Sequence, residues 1–306
     1  MSHVKHTAHW LSIVPMEINY LAREEIDKTK WDSCVHYANN GNVFGYMWYL
    51  DHVAKEWDAL VEGDYESVFP LVWRENFWGR KHLIQPPWMR ELGLFSIHVL
   101  SKPRIKAFID AIPKEFRRIS VHLNEQNFLP EASGFVMSPR TNYQLLLQPA
   151  YEEIADRFSS EWFTQLAEAE KNKLITVSNV KPERVADFFR KYSPRRPDRE
   201  ARSHALLRIM YNILHRGWGF ASGVQGGDGE LLAVNFFIYS HSKVLSLVPV
   251  VSPKGEEKGA LELLFHMLIK THAGKPLLLD LNDDGSSGFV QGMGAQPNSY
   301  FKLERQ

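Results

Sequence analysis

One order of elements occurs twice along this chain, and the repetition limits its possible folds more than any other feature. From Gly219 onward, apolar alternation predicts strands over Gly219–Gln225, Glu230–Ser240 and Lys243–Val251. The loop Ser252-Pro253-Lys254-Gly255-Glu256-Glu257-Lys258-Gly259-Ala260 then leads into an amphipathic helix over Glu262–His272. A strand ending in an acid, Leu277–Asn282, and a Gly294-Ala295 turn follow. A fainter copy runs from Trp57 to Asn124, with predicted strands Trp57–Glu62, Ser67–Arg74 and Lys81–Gln85, a helix Arg104–Ala111 and a strand Ile119–Asn124. Gly63-Asp64 matches the turn Gly226-Gly227-Asp228-Gly229, and in both copies the third strand stops near proline, at Pro86-Pro87 and at Pro253. His122-Leu123-Asn124 echoes Asp280-Leu281-Asn282 at an offset of roughly 160 residues, so the pattern predicts a duplicated topology.

The length, 306 residues, suits two medium domains at about 100–200 residues each. The apolar run Asn142–Leu147 meets Pro149, which sets the expected units at 16–148 and 149–306. Residues 1–15 carry scattered His and Lys and a short apolar piece, Trp10–Val14, too short for a signal sequence; a flexible extension is expected. The first unit should open with a strand at Glu17–Leu21 and helices at Arg23–Tyr37 and Phe44–Ala54. The second should open with helices at Tyr151–Phe158 and Ser160–Lys171, followed by a strand at Leu174–Asn179. A helix at Pro182–Tyr192, an exposed basic loop at Pro194–Arg199 and a helix at Ser203–Arg216, capped by Ser203, complete the reading.

Lys plus Arg and Asp plus Glu are 36 each, so no global charge draws the protein to nucleic acid or an anionic membrane, although a local basic site remains open. No apolar run reaches the ~20 residues of a membrane span. Cys34 is the only cysteine, which excludes an internal disulfide, and an inert buried thiol is expected. The histidines, His266 and His272 included, show no ligand spacing, so no metal is expected. The expected location is the cytoplasm.

The Lys254–Gly259 loop joins a strand to a helix, and its glycines and lysines suit a phosphate seat at a helix N-terminus; Glu256 and Glu257 offset that charge. An exposed charged turn is the plainer reading. Asp280, Asp283 and Asp284, with Asn282 among them, lie at or past a strand end, where carboxylates often line a ligand crevice. They suit deprotonation of an amine, binding of its ammonium form, or capping of the next turn. Gln85 and Trp88, past another strand end, would line a groove between the halves or simply pack.

Strand–strand–strand, basic glycine loop, helix, strand and Gly-Ala turn resembles the GNAT acyltransferase fold. Two such units resemble its FemAB-like branch, the peptidoglycan aminoacyltransferases and their relatives. The resemblance rests on Leu278-Leu279-Asp280-Leu281, on Phe289-Val290-Gln291-Gly292-Met293-Gly294-Ala295 and on Tyr300-Phe301-Lys302-Leu303, and extends over roughly residues 17–306. It implies an α/β (α+β) fold of two tandem GNAT-like domains, each a mixed central sheet flanked by helices. It also implies transfer of an acyl or aminoacyl group to a small-molecule or peptidyl amine. Acyl-CoA is the cofactor implied, along Val248 and Val250 and over Lys254, Gly255, Lys258, Gly259 and Ala260, with Asp280 or Asn282 serving the amine. Leu261 stands where the usual coenzyme-A loop has its second glycine. The alternatives are aminoacyl-tRNA-dependent transfer, which the neutral charge and the missing coiled-coil insertion disfavour, and a ligand-binding protein without chemistry. DNA is not an expected partner.

Overall fold

The computed structural model describes residues 16–129, 131 and 134–305; the expected extension at 1–15 lies outside them. The described residues form fourteen strands in one continuous sheet. The first half contributes β1 (Ile18–Leu21), β2 (Glu56–Glu62), β3 (Ser67–Glu75), β4 (Lys81–Ile84), β5 (Phe95–Ser96), β6 (Arg118–His122) and β7 (Val136–Leu146). The second contributes β8 (Ile175–Ser178), β9 (Gly219–Gln225), β10 (Leu231–Ser240), β11 (Lys243–Ser246), β12 (Val250–Val251), β13 (Leu278–Asp280) and β14 (Gln296–Arg305).

The sheet order is β1-β2-β3-β4-β6-β14-β7-β13-β11-β10-β9-β8, with β5 on β3 and β12 on β10. Each half holds an antiparallel meander, β2–β3–β4 or β9–β10–β11, and one parallel pair. The parallel pairs are β4 with β6 and β11 with β13, each crossing over through a helix, Lys102–Asp110 or Ala260–His272. The repeat read from the sequence is therefore a repeat of topology. Beyond each parallel pair the halves exchange strands. β14, from the C-terminus, pairs with β6 of the first half, while β7 pairs with β13 of the second, and β7 and β14 pair with each other over nine residues from Gln296↔Gln144 to Glu304↔Val136.

β10 is apolar along nearly its whole length because both faces are covered. Val234, Phe236 and Ile238 join a core shared with the first half and with helices Pro182–Tyr192 and Arg199–His215. Ala233 and Phe237 face the helix Ala260–His272 and pack in a second core. No helix among the described residues is long and apolar enough to cross a membrane.

Several boundaries differ from expectation for local reasons. The helix expected over Arg23–Tyr37 divides into a short 3-10 turn and the helix Lys28–Tyr37, because Asp27 caps the latter by accepting from the Lys30 N–H (3.0 Å). The helix expected from Ser203 starts a turn earlier, at Arg199, and Ser203 is buried within it rather than capping it. The strand expected over Lys243–Val251 breaks into β11 and β12. The buried Asn235 holds the break: its Oδ1 accepts from the Val248 N–H (3.1 Å), and its Nδ2 donates to Ser246 Oγ (2.8 Å).

Candidate functional site

β11 and β13 run side by side only from Lys243↔Leu278 to Leu245↔Asp280. Beyond that point the first strand turns back to β10, with the Leu247 N–H donating to Phe236 O (2.9 Å) and Val250 pairing with Val234. The second continues through Leu281 to Asp283, which is tied to the other neighbour: Leu281 N–H donates to Tyr143 O (3.0 Å) and Tyr143 N–H to Asp283 O (2.9 Å). A cavity of about 460 Å³ opens where they part, lined by Pro249 and Val251 on one side and Leu281 and Asp283 on the other. Trp162, Phe265 and Phe289 supply aromatic walls. In the first half the equivalent gap is bridged, because the His122 N–H donates to Gln85 Oε1 (2.8 Å) and the Leu92 N–H donates to His122 O (2.7 Å).

The charged residues lining this cavity are Glu161, Glu256, Glu262 and Asp283, and among the described residues no Lys or Arg lines it. Burial, with the nearby Glu256 and Glu161 charges, pushes the Glu262 carboxyl above its ordinary value. Burial also raises Asp283, against the opposing Gly285 N–H. Trp162 Nε1 and Gln165 Oε1, both buried and both from lining residues, find no hydrogen-bond partner among the described residues. The site thus combines apolar walls with negative charge, a combination that suits an ammonium group and repels phosphate.

The Lys254–Gly259 loop is a turn of helix, Pro253–Glu256, capped by Ser252 Oγ, which accepts from the Gly255 N–H (3.1 Å). The Glu256, Glu257, Lys258 and Gly259 N–H groups donate to carbonyls of Ser252, Pro253, Gly255 and Glu256. The Lys254 ammonium pairs with Glu230 and, at 3.4 Å, with Asp228. The two glycines answer to packing. A Cβ on Gly255 would meet Leu232 O at 2.4 Å, and one on Gly259, whose φ is +66°, would meet Gln165 O at 2.1 Å. Ala260 starts the long helix and is buried; Val248 is buried in the strand break.

Gln85, Trp88 and Asn282 line a second opening, a groove of about 760 Å³ between the halves, together with Arg90, Arg196 and Arg202. Trp88 is held there in a left-handed conformation (φ +63°), its Nε1 donating to Arg202 O at 2.7 Å. Asp280 lies beneath. Both its oxygens take the Arg90 guanidinium (2.7 Å for Oδ2), and Oδ1 also accepts from Asn142 Nδ2 and the Asn282 N–H, each at 3.0 Å. Burial works to raise its pKa, but Arg90 outweighs it and holds the carboxyl below the usual range. Glu91 bonds the same guanidinium and Asn42, and Glu125 joins Lys243, Gln144 and Asn298. Cys34, in the first core, is buried; burial and the Glu62 charge push its thiol up to about 12.

Sequence reasoning missed Glu161, Glu262, Trp162 and Gln165 as cavity residues. The available signal was weak: both glutamates sit one position from an apolar helical stripe, where a solvated face is the ordinary reading. Arg90 carried no signal because its partner Asp280 is 190 positions away, and Asn235 stood inside an apolar strand with nothing to mark it as the residue that holds the strand break.

Two halves, each with a hairpin leading into a parallel pair and an exchanged last strand, define a tandem GNAT-like fold of the FemAB-like kind. Among solved structures the chain is similar to FemX, at 12% identity and TM-score 0.59 over 94% of this chain and 97% of that one. It is also similar to L-PGS from Bacillus licheniformis (12%, TM-score 0.53, 91% and 92%) and to a tandem GNAT protein from the clavulanic acid biosynthesis pathway (12%, 0.53, 94% and 98%). No family model matches the chain, and no curated protein matches it in sequence. At these identities the likeness is one of fold.

Proposed function

We propose that the protein is an acyltransferase that moves an acyl or aminoacyl group from an activated ester or thioester to an amine, at the cavity between the parted strands of the second half. The observation that carries this reading is the cavity itself, an aromatic-walled opening at the strand split with four carboxylates and, among the described residues, no cation in its lining. The acceptor's ammonium would be drawn in by these charges. Glu262, with its raised pKa, suits the base. It takes one proton from the bound ammonium so that the neutral amine can attack the carbonyl; as the C–N bond forms and the ester or thioester bond breaks, the nitrogen's second proton passes to the leaving oxygen or sulfur, which departs as the alcohol or thiol. Asp280, whose oxygens are already occupied by Arg90, Asn142 and Asn282, we assign to holding the strand end rather than to the base role first expected. Asn282 we likewise assign to the turn past β13.

Acyl-CoA on the Lys254–Gly259 loop remains part of the reading to be tested, with Val248 and Val250 alongside. The loop's internal hydrogen bonds and the engagement of Lys254 by acids favour an aminoacyl donor over it. Calorimetry with small and peptidyl primary amines, their N-acetylated counterparts and acetyl-CoA tests both points. Heat from the amines, absent for the acetylated compounds and lost in Glu262→Gln, is expected. Equal heats for amines and acetylated amines would overturn the assignment, and acetyl-CoA binding abolished by Lys254→Ala with Lys258→Ala would return the donor to the loop.

A further inference from the structure

The protein's balanced charge conceals one strongly cationic surface. Arg80, Lys114, Arg117, Arg118 and Arg305 surround a shallow concavity of about 740 Å³ on the first half. Of the neighbouring acids, Glu115 pairs with Lys81 (3.2 Å) and Glu304 with Lys302 (2.7 Å), which leaves Glu75, at the base of the β3–β4 hairpin, as a single exposed carboxylate against the five cations. At the rim stands the tip of the β3–β4 hairpin, Asn76-Phe77-Trp78-Gly79. Asn76 orders this turn: its Oδ1 accepts from the Trp78 and Arg80 N–H groups (2.9 and 3.0 Å), and its carbonyl from the Gly79 N–H (3.0 Å). The two corner positions, which ordinarily take polar residues, hold Phe77 at 93% exposure and Trp78 at 76%. The rings touch only edge to face, with centroids 5.5 Å apart. Nothing in the first core requires them. Desolvation and the Arg118, Arg74 and Arg80 charges hold His82 below its ordinary pKa, so the concavity does not gain a further cation from it near neutrality.

We infer that this hairpin tip docks the protein on an anionic lipid surface. Phe77 and Trp78 enter the headgroup layer, and the five cations face lipid phosphates. Aromatic side chains prefer that layer, and basic residues beside it are drawn to anionic lipid. A lipid surface fits better than single-stranded RNA because the aromatics project from an outer corner. A base-stacking site places a series of rings along the floor of the charged groove; here Trp78 alone of the pair borders the concavity, Phe77 is not among its lining residues, and both rings are largely exposed, at 76% and 93%. The inference is independent of the transfer reaction, which lies in the other half.

Sedimentation of the full chain with vesicles tests it, using phosphatidylcholine alone and phosphatidylcholine with phosphatidylglycerol, at low and raised ionic strength. Binding only to the phosphatidylglycerol vesicles, weakened by salt, is expected. Phe77→Ser with Trp78→Ser should lower it by about an order of magnitude, as should Arg80→Glu with Arg118→Glu. These positions are exposed, so both variants should keep the parent's circular dichroism spectrum. Absence of vesicle binding at low ionic strength overturns the inference. So does binding that the aromatic variant leaves unchanged. A single-stranded RNA oligonucleotide that binds through the same residues when vesicles do not would overturn it in favour of RNA.

Discussion

Arg90 and Asp280, 190 positions apart in sequence, form a buried bidentate ion pair that joins the end of the second half's parallel strands to the first half. The guanidinium is 7% exposed and the carboxylate 2%, and Asn142 of β7, one of the exchanged strands, bonds the same carboxylate. The pair therefore sits where the strand exchange, the groove and the end of β13 meet.

Removing one partner should leave the other charge buried and unpaired. Arg90→Met is expected to cost about 3–5 kcal/mol in urea unfolding. The pH dependence follows from the depressed Asp280 pKa. Its stabilisation is complete above the unfolded carboxylate value of about 3.9 and is lost as pH falls toward the lower folded value. Asp280→Asn should flatten the acid limb of the stability profile while lowering stability at neutral pH.

Glu262 should behave in the opposite sense. Its folded pKa is raised, so folding favours the protonated form and the associated stability declines as pH rises through that value. Glu262→Gln should leave stability unchanged in acid and raise it near neutrality. If the base assignment holds, the same variant should lose about 10²–10⁴-fold in turnover. The rise of rate with pH would disappear with it. Thermal denaturation and initial rates across pH separate the two effects.

The glycines of the basic loop should be intolerant of substitution even where no ligand is bound. At Gly259 an alanine must adopt a left-handed backbone, at about 1–3 kcal/mol, and also displace the Gln165 carbonyl. Gly227 has open space around a Cβ, so Gly227→Ala in the neighbouring turn should be near neutral. A Gly259→Ala protein as stable as its parent by differential scanning calorimetry would contradict this packing role.

The exchanged strands predict joint unfolding. Deleting residues 296–306 removes β14 from between β6 and β7, and both halves should lose protection in hydrogen exchange. In the intact protein a single calorimetric transition is expected. A first half that stays protected after the deletion would show that it folds by itself.

Most strands and the long helices are legible in the sequence because their signals are local: the Gly63-Asp64 turn between the apolar runs of β2 and β3, the Pro182 start of its helix, and Pro86-Pro87 just past β4. The duplicated topology followed from the same signals, and with it the class of fold. Tertiary structure alone decided which strand follows each parallel pair in the sheet, since nothing in the sequences of β7 and β14 chooses between β6 and β13 as neighbour. It also decided why Gly255 and Gly259 are glycines, what Lys254 binds, and where the carboxylates gather. Those outcomes depend on burial and on contacts between residues distant in sequence, such as Arg90 with Asp280 or Gly259 with Gln165. Pairing energies and desolvation arise only once the chain has closed around them.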